Sequence, residues 1–106
     1  MIPKTNYENE RLTVFLNGEI DHHSSIVLRY HIDQMILQST PKEIELNFKD
    51  VSFMDSSGIG LIMGRFKLAK QYDAAVFISQ ASPYLKRVMR LAGLDKIISI
   101  DTEEKQ

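Results

Sequence analysis

The sequence predicts an α/β fold in which a mixed β-sheet of about four to five strands is covered by helices. Stretches with strand periodicity and stretches with helical periodicity follow one another in the order β-β-α-β-α-β-α-β. The chain of 106 residues is long enough for one core, because two domains of half this length would each bury too little apolar surface. We therefore expect a single domain over residues 1–106, with its core in residues 3–100 and a polar C-terminal tail at 101–106.

Two strands are predicted at the start of the chain. Residues 4–10 are polar and fit an edge strand. Residues 11–16 alternate more regularly and end at Asn17-Gly18, a dipeptide that favours a tight turn. The first pair of strands can therefore be antiparallel. Three further strands are predicted from alternation or from short apolar runs, at residues 43–48, 74–79 and 97–100.

Helical periodicity and capping residues define the first and third helices. The candidate caps of the first helix are Asp21, Ser24 and Ser25. Its apolar positions recur at helical spacing, at Leu28, Ile32, Met35 and Ile36. Thr40-Pro41 ends it, since a residue before proline avoids the helical region. The third helix begins at Ser82-Pro83, a cap followed by proline at the first helical position, and ends at Gly93.

The second predicted helix, residues 57–72, has two distinct faces. Its main apolar face comprises Ile59, Ile62, Phe66 and Ala69. The opposite arc carries Ser57, Gly60, Gly64, Lys67 and Gln71. Each glycine inside a helix costs about 1 kcal/mol relative to alanine, so the pair needs a physical reason. Either another element of the same fold packs closely there, or a partner approaches the bare backbone, and the helical wheel leaves both readings open.

The segment that precedes this helix, Asp55-Ser56-Ser57-Gly58, places two hydroxyls at a strand-to-helix junction. A helix N-terminus offers unpaired N–H groups and a partial positive charge. A serine in this position can cap the helix or can carry a phosphate. Capping is the commoner use of such a pair, and the neighbouring glycines favour the phosphate only moderately.

Composition excludes several classes of function. The formal net charge of −1 does not favour direct nucleic-acid binding. The absence of cysteine excludes disulfides and thiolate metal sites, and the three histidines lack the compact spacing of a zinc site. The N-terminus lacks the pattern of a signal peptide, and no apolar run approaches the roughly 20 residues that span a bilayer. We expect a cytoplasmic protein with no membrane span and no cofactor.

Residues 53–60, Phe-Met-Asp-Ser-Ser-Gly-Ile-Gly, resemble the hallmark of the anti-sigma factor antagonists, the bacterial type of STAS domain. Residues 18–23, Gly-Glu-Ile-Asp-His-His, are similar to a signature of the sporulation members of this family. Further similar segments are Gly64-Arg65-Phe66-Lys67, Ser82-Pro83, Lys86-Arg87 and Gly93-Leu94. The resemblance covers roughly residues 5–100 and implies a STAS-type single domain.

This resemblance implies a switch between protein partners, in which the chain is not itself an enzyme. The unphosphorylated antagonist binds an anti-sigma factor that is a serine kinase, and a sporulation sigma factor is released. The kinase then phosphorylates the antagonist with ATP, which abolishes binding, and a serine phosphatase reverses the modification. By its position in the motif, Ser57 is the expected phosphoacceptor.

The resemblance also assigns supporting roles to other residues. Those expected to support the switch site are Asp21, Asp55, Ser56 and Gly58. Those expected to contact the partner are His22, Met54, Ile59, Gly60, Gly64 and Lys67. Added negative charge on Ser57, close to two aspartates, is expected to disfavour docking through repulsion and desolvation.

Three alternatives remain. Residues 58–64 read Gly-x-Gly-x-x-x-Gly, one residue longer than a dinucleotide fingerprint, so weak nucleotide contact is kept only as a side property. Ser57 with a histidine would suggest a serine hydrolase, but the chain has no Gly-x-Ser-x-Gly elbow. Within the family, an antagonist or scaffold subunit of a stress-response kinase is the alternative, against which the His22-His23 segment argues.

Overall fold

Residues 2–100 are described by the structure of the protein, a computed structural model, and the predicted polar tail at 101–106 lies outside these residues. The elements in chain order are β1 (Lys4–Glu8), β2 (Arg11–Ile20), α1 (His22–Ser39), β3 (Glu43–Met54), α2 (Ser56–Lys70), β4 (Ala75–Ser79), α3 (Pro83–Leu91), a short 3-10 helix (Leu94–Lys96) and β5 (Ser99–Ile100). The predicted order of strands and α-helices is confirmed.

The strands of the described region form one mixed sheet in the order β1-β2-β3-β4-β5. β1 is antiparallel to β2, whereas β2, β3, β4 and β5 are parallel. Each parallel connection moves one strand further in the same direction, so right-handed crossovers place α1, α2 and α3 on one face. The core lies between that face and the helices, and its largest fully buried side chains include Leu12, Leu16, Ile32, Ile44, Leu46, Phe48, Ile62 and Leu85.

The opposite face of the sheet is polar. Glu45 lies at its centre and accepts hydrogen bonds from Thr13 (3.3 Å) and from Ser79 (2.5 Å). Arg11 Nε donates to Glu43 at 3.0 Å, and the Arg11 guanidinium lies 3.6 Å from Glu45. These contacts join neighbouring strands, which lets a face without a helix remain ordered next to water.

Several strand boundaries differ from the sequence prediction. β2 does not turn at Asn17-Gly18 but continues to Ile20, with Gly18 at φ 77° and shifts in the pairing register on either side of it. Asn-Gly therefore marks a bulge within the strand, for which the same left-handed freedom of glycine is needed. β3 is longer than predicted because it pairs with this extension as far as Met54. The last strand is shorter than predicted, because a 3-10 helix precedes it.

The helix ends follow the capping signals in the sequence. Asp21 caps α1 in a reciprocal capping box with Ser24, and Thr40, at φ 41°, ends the helix. Ser82 caps α3, and Gly93, at φ 82°, follows it with Leu94 buried behind it. α2 begins at Ser56, with Asp55 as its cap. None of the helices within residues 2–100 is long and apolar enough to cross a membrane.

Candidate protein-binding groove at Ser57

The N-termini of α1 and α2 lie side by side at one edge of the sheet. β2 and β3 are parallel and pair Ile20 with Met54, and the Asp55 N–H donates to the Ile20 carbonyl at 3.2 Å. The next residue on each strand is an aspartate that caps the following helix. The register of the two strands therefore brings Asp21 and Asp55, predicted as separate members of the switch site, to the same edge.

Ser57 lies in the first turn of α2, beside its cap. The Ser57 N–H donates to Asp55 Oδ1 at 2.8 Å, and the Gly58 N–H donates to the Asp55 carbonyl at 2.9 Å. The Ser57 side chain is half-buried, and within residues 2–100 its hydroxyl makes no hydrogen bond to a protein group. Asp55, and neither Ser56 nor Ser57, therefore caps α2. The Ser57 hydroxyl is left available to another molecule.

Asp21 is held as a carboxylate by its capping box. Its Oδ1 accepts from the Ser24 N–H at 3.0 Å, and the Ser24 hydroxyl accepts from the Asp21 N–H at 3.0 Å. The pKa of Asp21 lies below its ordinary value, mainly because the carboxylate accepts that backbone N–H bond. The edge next to Ser57 therefore carries a fixed negative charge at neutral pH.

A groove of about 630 Å³ runs from this edge between α1 and α2. Its α2 wall comprises Ser57, Gly60, Leu61, Gly64, Arg65, Lys67, Leu68 and Gln71. Its α1 wall comprises His22, Ser25, Ile26, Arg29 and Asp33. The whole polar arc predicted for the second helix lines this groove. Four of the predicted contact residues, His22, Gly60, Gly64 and Lys67, are brought together here with Ser57.

The two glycines of the groove are bare. A Cβ built on Gly60 or on Gly64 would meet no atom within 4 Å outside its own helical backbone. Within the described residues no other element packs on these glycines. Close packing by a neighbouring element of the same fold therefore does not explain them. What remains is an exposed stretch of helix backbone that another molecule can approach closely.

An ion pair joins the two helices below the groove, and sequence reasoning missed it. Arg65 is only 5% exposed, and its Nε lies 2.7 Å from Asp33 Oδ1, although the N–H is not aligned with that oxygen. Burial lowers the pKa of Arg65, and the Asp33 carboxylate opposes that effect. The available signal was that Arg65 falls between the apolar Leu61 and Ala69 around the helix. Its partner lies on a different helix and could not be identified from helical spacing.

Met54, which was predicted to contact the partner, is buried in the structure. Met54 is 2% exposed and packs beneath the start of α2, where a Cβ on Gly58 would lie 2.5 Å from its Sδ. Gly58 is itself buried, and its lack of a side chain allows α2 to begin close to the end of β3. Ile59 is half-buried against the core, whereas Phe53, which the prediction omitted, is exposed beside Met54.

The chain matches a known domain family along almost its whole length. A profile of the STAS domain matches residues 3–106. The chain belongs to the STAS domain family. A relative from Paenibacillus polymyxa named anti-sigma F factor antagonist is 39% identical over 93 residues, which cover 88% of this chain and 80% of the relative. The anti-sigma-B factor antagonist of Bacillus subtilis strain 168 is 34% identical over 98 residues, which cover 92% of this chain and 87% of the relative.

Solved structures agree with this STAS assignment. The anti-sigma factor antagonist SpoIIAA in its unphosphorylated form matches with a TM-score of 0.81 and 32% identity, over 97% of this chain and 90% of the other. The Bacillus cell fate determinant SpoIIAA in its phosphorylated form matches with a TM-score of 0.72 and 32% identity, over 97% of this chain and 94% of the other. The predicted STAS-type fold and the predicted resemblance to anti-sigma factor antagonists are both confirmed.

Proposed function

We propose that this STAS domain is an anti-sigma factor antagonist that acts through the groove at Ser57. In its unphosphorylated form it binds an anti-sigma factor that is also a serine kinase, and a sporulation sigma factor is thereby released. The observation that carries the proposal is that, within residues 2–100, the Ser57 hydroxyl has no protein hydrogen bond and lies at the head of a bare, glycine-lined groove. The relatives named as antagonists supply the class of partner.

Phosphorylation of Ser57 would then end the contact. In the bound kinase, the Ser57 hydroxyl oxygen attacks the γ-phosphorus of ATP, its proton passes to a base of the kinase, and ADP leaves. The phosphoserine carries about 1.5 to 2 negative charges at pH 7. Asp21 and Asp55 already make this edge acidic, so a partner fitted to a neutral hydroxyl would meet repulsion and an uncompensated buried charge.

The fold itself should tolerate the phosphate. The unpaired N–H groups and the dipole of α2 favour negative charge at this terminus, and Ser57 takes no part in core packing. The match of this chain to a phosphorylated SpoIIAA supports the same conclusion. The switch would thus act on the surface around Ser57, with Asp55 and Gly58 keeping the start of α2 in place.

The chemistry belongs to the partners in this proposal. The antagonist is a substrate of the kinase and of a serine phosphatase, which hydrolyses the phosphoserine and restores the free hydroxyl. We assign to the protein no cofactor, no direct nucleic-acid contact and a cytoplasmic location. Nucleotide would enter through the kinase, and contact between this chain and nucleotide would be weak at most.

Mass spectrometry after incubation with an anti-sigma F factor and ATP tests the acceptor. One phosphate is expected on Ser57 of the wild type and on the Ser56→Ala variant, which serves as the matched control. None is expected on Ser57→Ala. A phosphate on Ser56, or an unmodified wild type in the presence of an active kinase, would contradict the assignment.

A stress-response partner is the second candidate, because the Bacillus subtilis relative is named an anti-sigma-B factor antagonist. Titration of the unphosphorylated protein with an anti-sigma F factor and with an anti-sigma B factor separates the two. Tighter binding to the F factor is expected. The hydrolase alternative has lost support, since within residues 2–100 no histidine hydrogen-bonds Ser57 as an activating base would.

A further inference from the structure

Helix α1 carries large apolar side chains on its solvent side as well as on its core side. Leu28, Ile32 and Ile36 are buried in the core. On the outside, Ile26 and Tyr30 are 57% and 61% exposed, and Leu37 is also exposed. At about 100° per residue these three side chains fall within about 40° of one another around the helix, so they form one stripe. We name the stripe Ile26, Tyr30 and Leu37 the α1 ridge.

Such a ridge is unusual on the outside of a small domain. A surface helix normally turns a polar face to water, and a contiguous apolar patch normally marks a site of interaction. The ridge does not stand apart from the groove at Ser57. A shallow depression of about 390 Å³ along the ridge is lined by Ile26, Arg29 and Asp33, which also line the groove. The groove and the ridge therefore form one continuous surface across both helices.

Away from the acidic edge beside Ser57, the charges around this surface are mainly positive. Together α1 and α2 contain four cationic residues, Arg29, Arg65, Lys67 and Lys70, and one carboxylate, Asp33, although the whole chain has a net charge of −1. Asp33 lies 2.7 Å from the buried Arg65 but 4.0 Å from Arg29, whose side chain is largely exposed. Arg29 and Lys67 thus project positive charge from opposite walls of the groove.

We propose that the α1 ridge is the second half of the surface that binds the anti-sigma factor, and that the partner covers it with an apolar strip bordered by carboxylates. The proposal rests on the proposed function and extends its contact surface from α2 to α1. Apolar side chains of the partner cover Ile26 and Tyr30, while its carboxylates meet Arg29 and Lys67. Burial of the ridge supplies affinity, and Ser57, at one end of the surface, supplies the switch.

Substitution of the ridge tests this proposal against a matched pair. The variant Ile26→Gln/Tyr30→Gln removes one aliphatic and one aromatic group from the ridge. The control Leu91→Gln/Tyr84→Gln removes the same types from α3, where Leu91 is 83% and Tyr84 is 47% exposed. Calorimetry with the unphosphorylated protein and an anti-sigma F factor should show at least about tenfold weaker binding for the ridge variant. The control should stay within about twofold of wild type.

A second pair of variants tests the charges and does not depend on the apolar substitutions. Arg29→Gln/Lys67→Gln should flatten the dependence of the dissociation constant on salt concentration, since two charge pairs at the interface are lost. Arg87→Gln/Arg90→Gln, on the exposed side of α3, removes the same charge and should leave that dependence unchanged. Circular dichroism of every variant should match that of wild type.

The possible outcomes separate this inference from the proposed function. Wild-type binding that neither the ridge variant nor the charge variant changes would overturn the inference alone. Absence of wild-type binding to the anti-sigma factor would overturn the proposed function and, with it, this partner. Sedimentation analysis covers the remaining case: a dimer that only the ridge variant dissociates, with binding to the anti-sigma factor unchanged, would identify a second copy as the occupant and overturn the inference.

Discussion

Substitution by alanine should destabilise the protein at Gly58 but stabilise it at Gly60 and Gly64, the other two glycines of α2. Alanine at Gly58 would place its Cβ 2.5 Å from Met54 Sδ and 3.4 Å from Ile20 Cγ2. Met54 is 2% exposed, so its side chain cannot move into solvent to make room. Among residues 2–100, alanine at Gly60 or at Gly64 would meet nothing within 4 Å outside its own helix. The first site is closed by packing, and the other two are open.

The expected magnitudes follow from two opposing effects. Replacing glycine by alanine within a helix stabilises it by about 1 kcal/mol or slightly less. Gly60→Ala and Gly64→Ala should each gain about 0.5–1 kcal/mol in the free energy of unfolding, because no contact opposes this gain. At Gly58, overpacking of a buried side chain costs about 1–3 kcal/mol, so the net change should be a loss of about 1 kcal/mol.

Urea unfolding of the three variants and of wild type measures these changes, and calorimetry with an anti-sigma F factor measures their functional effect. Gly60→Ala and Gly64→Ala should be more stable than wild type yet bind the anti-sigma factor more weakly, because each new methyl group projects into the groove. A Gly58→Ala variant as stable as the other two would refute the packing argument. Unchanged binding by both groove variants would refute the argument that the bare backbone contacts a partner.

Three further predictions concern the charged residues of the site. Asp21→Asn should reduce stability at neutral pH and match wild type at low pH, because a carboxylate with a lowered pKa contributes stability above its ordinary pKa and loses it as pH falls through the folded-state value. Arg65→Met should lower the free energy of unfolding by about 1–3 kcal/mol, since Asp33 loses its buried partner but is itself partly exposed. Asp55→Ala should cost about 1 kcal/mol through loss of the α2 cap.

Urea unfolding also provides the controls for these predictions. For Asp21→Asn, a difference from wild type that is larger at pH 3 than at pH 7 would contradict the sign of the effect. For Arg65→Met, addition of Asp33→Leu should recover part of the loss, and a purely additive double variant would show that the pair is not coupled. For Asp55→Ala, the matched variant Ser56→Ala should change stability little, because Ser56 is exposed and caps nothing.

Much of this architecture can be predicted from the sequence because its signals are local. Alternation and helical spacing depend on neighbouring residues, and they predicted the order of the strands and helices. Capping is equally local, so Ser82 and Gly93 were identified at the ends of their helix, and Asp21 was among the three candidate caps of α1. The glycine-lined arc of α2 also followed from helical geometry, and the structure shows it exposed in a groove.

The parts that were not predicted depend on contacts between distant segments. Asn17-Gly18 favours a glycine with positive φ, which suits a turn and a bulge equally well. The bulge forms because this segment pairs with β3. The burial of Arg65 depends on Asp33 from another helix. Met54 was taken from the motif as a contact residue, but its burial results from the close start of α2 at Gly58. Apart from His22, the α1 wall of the groove was missed for the same reason.

The most direct test of the proposed switch compares two forms of one protein. Calorimetry would measure the affinity of an anti-sigma F factor for the wild-type protein before and after complete phosphorylation of Ser57. We expect tight binding of the unphosphorylated form and at least about hundredfold weaker binding of the phosphorylated form, with the same circular dichroism spectrum for both. Equal affinity of the two forms, or a phosphorylated form that has lost its fold, would contradict a switch that acts through the surface at Ser57.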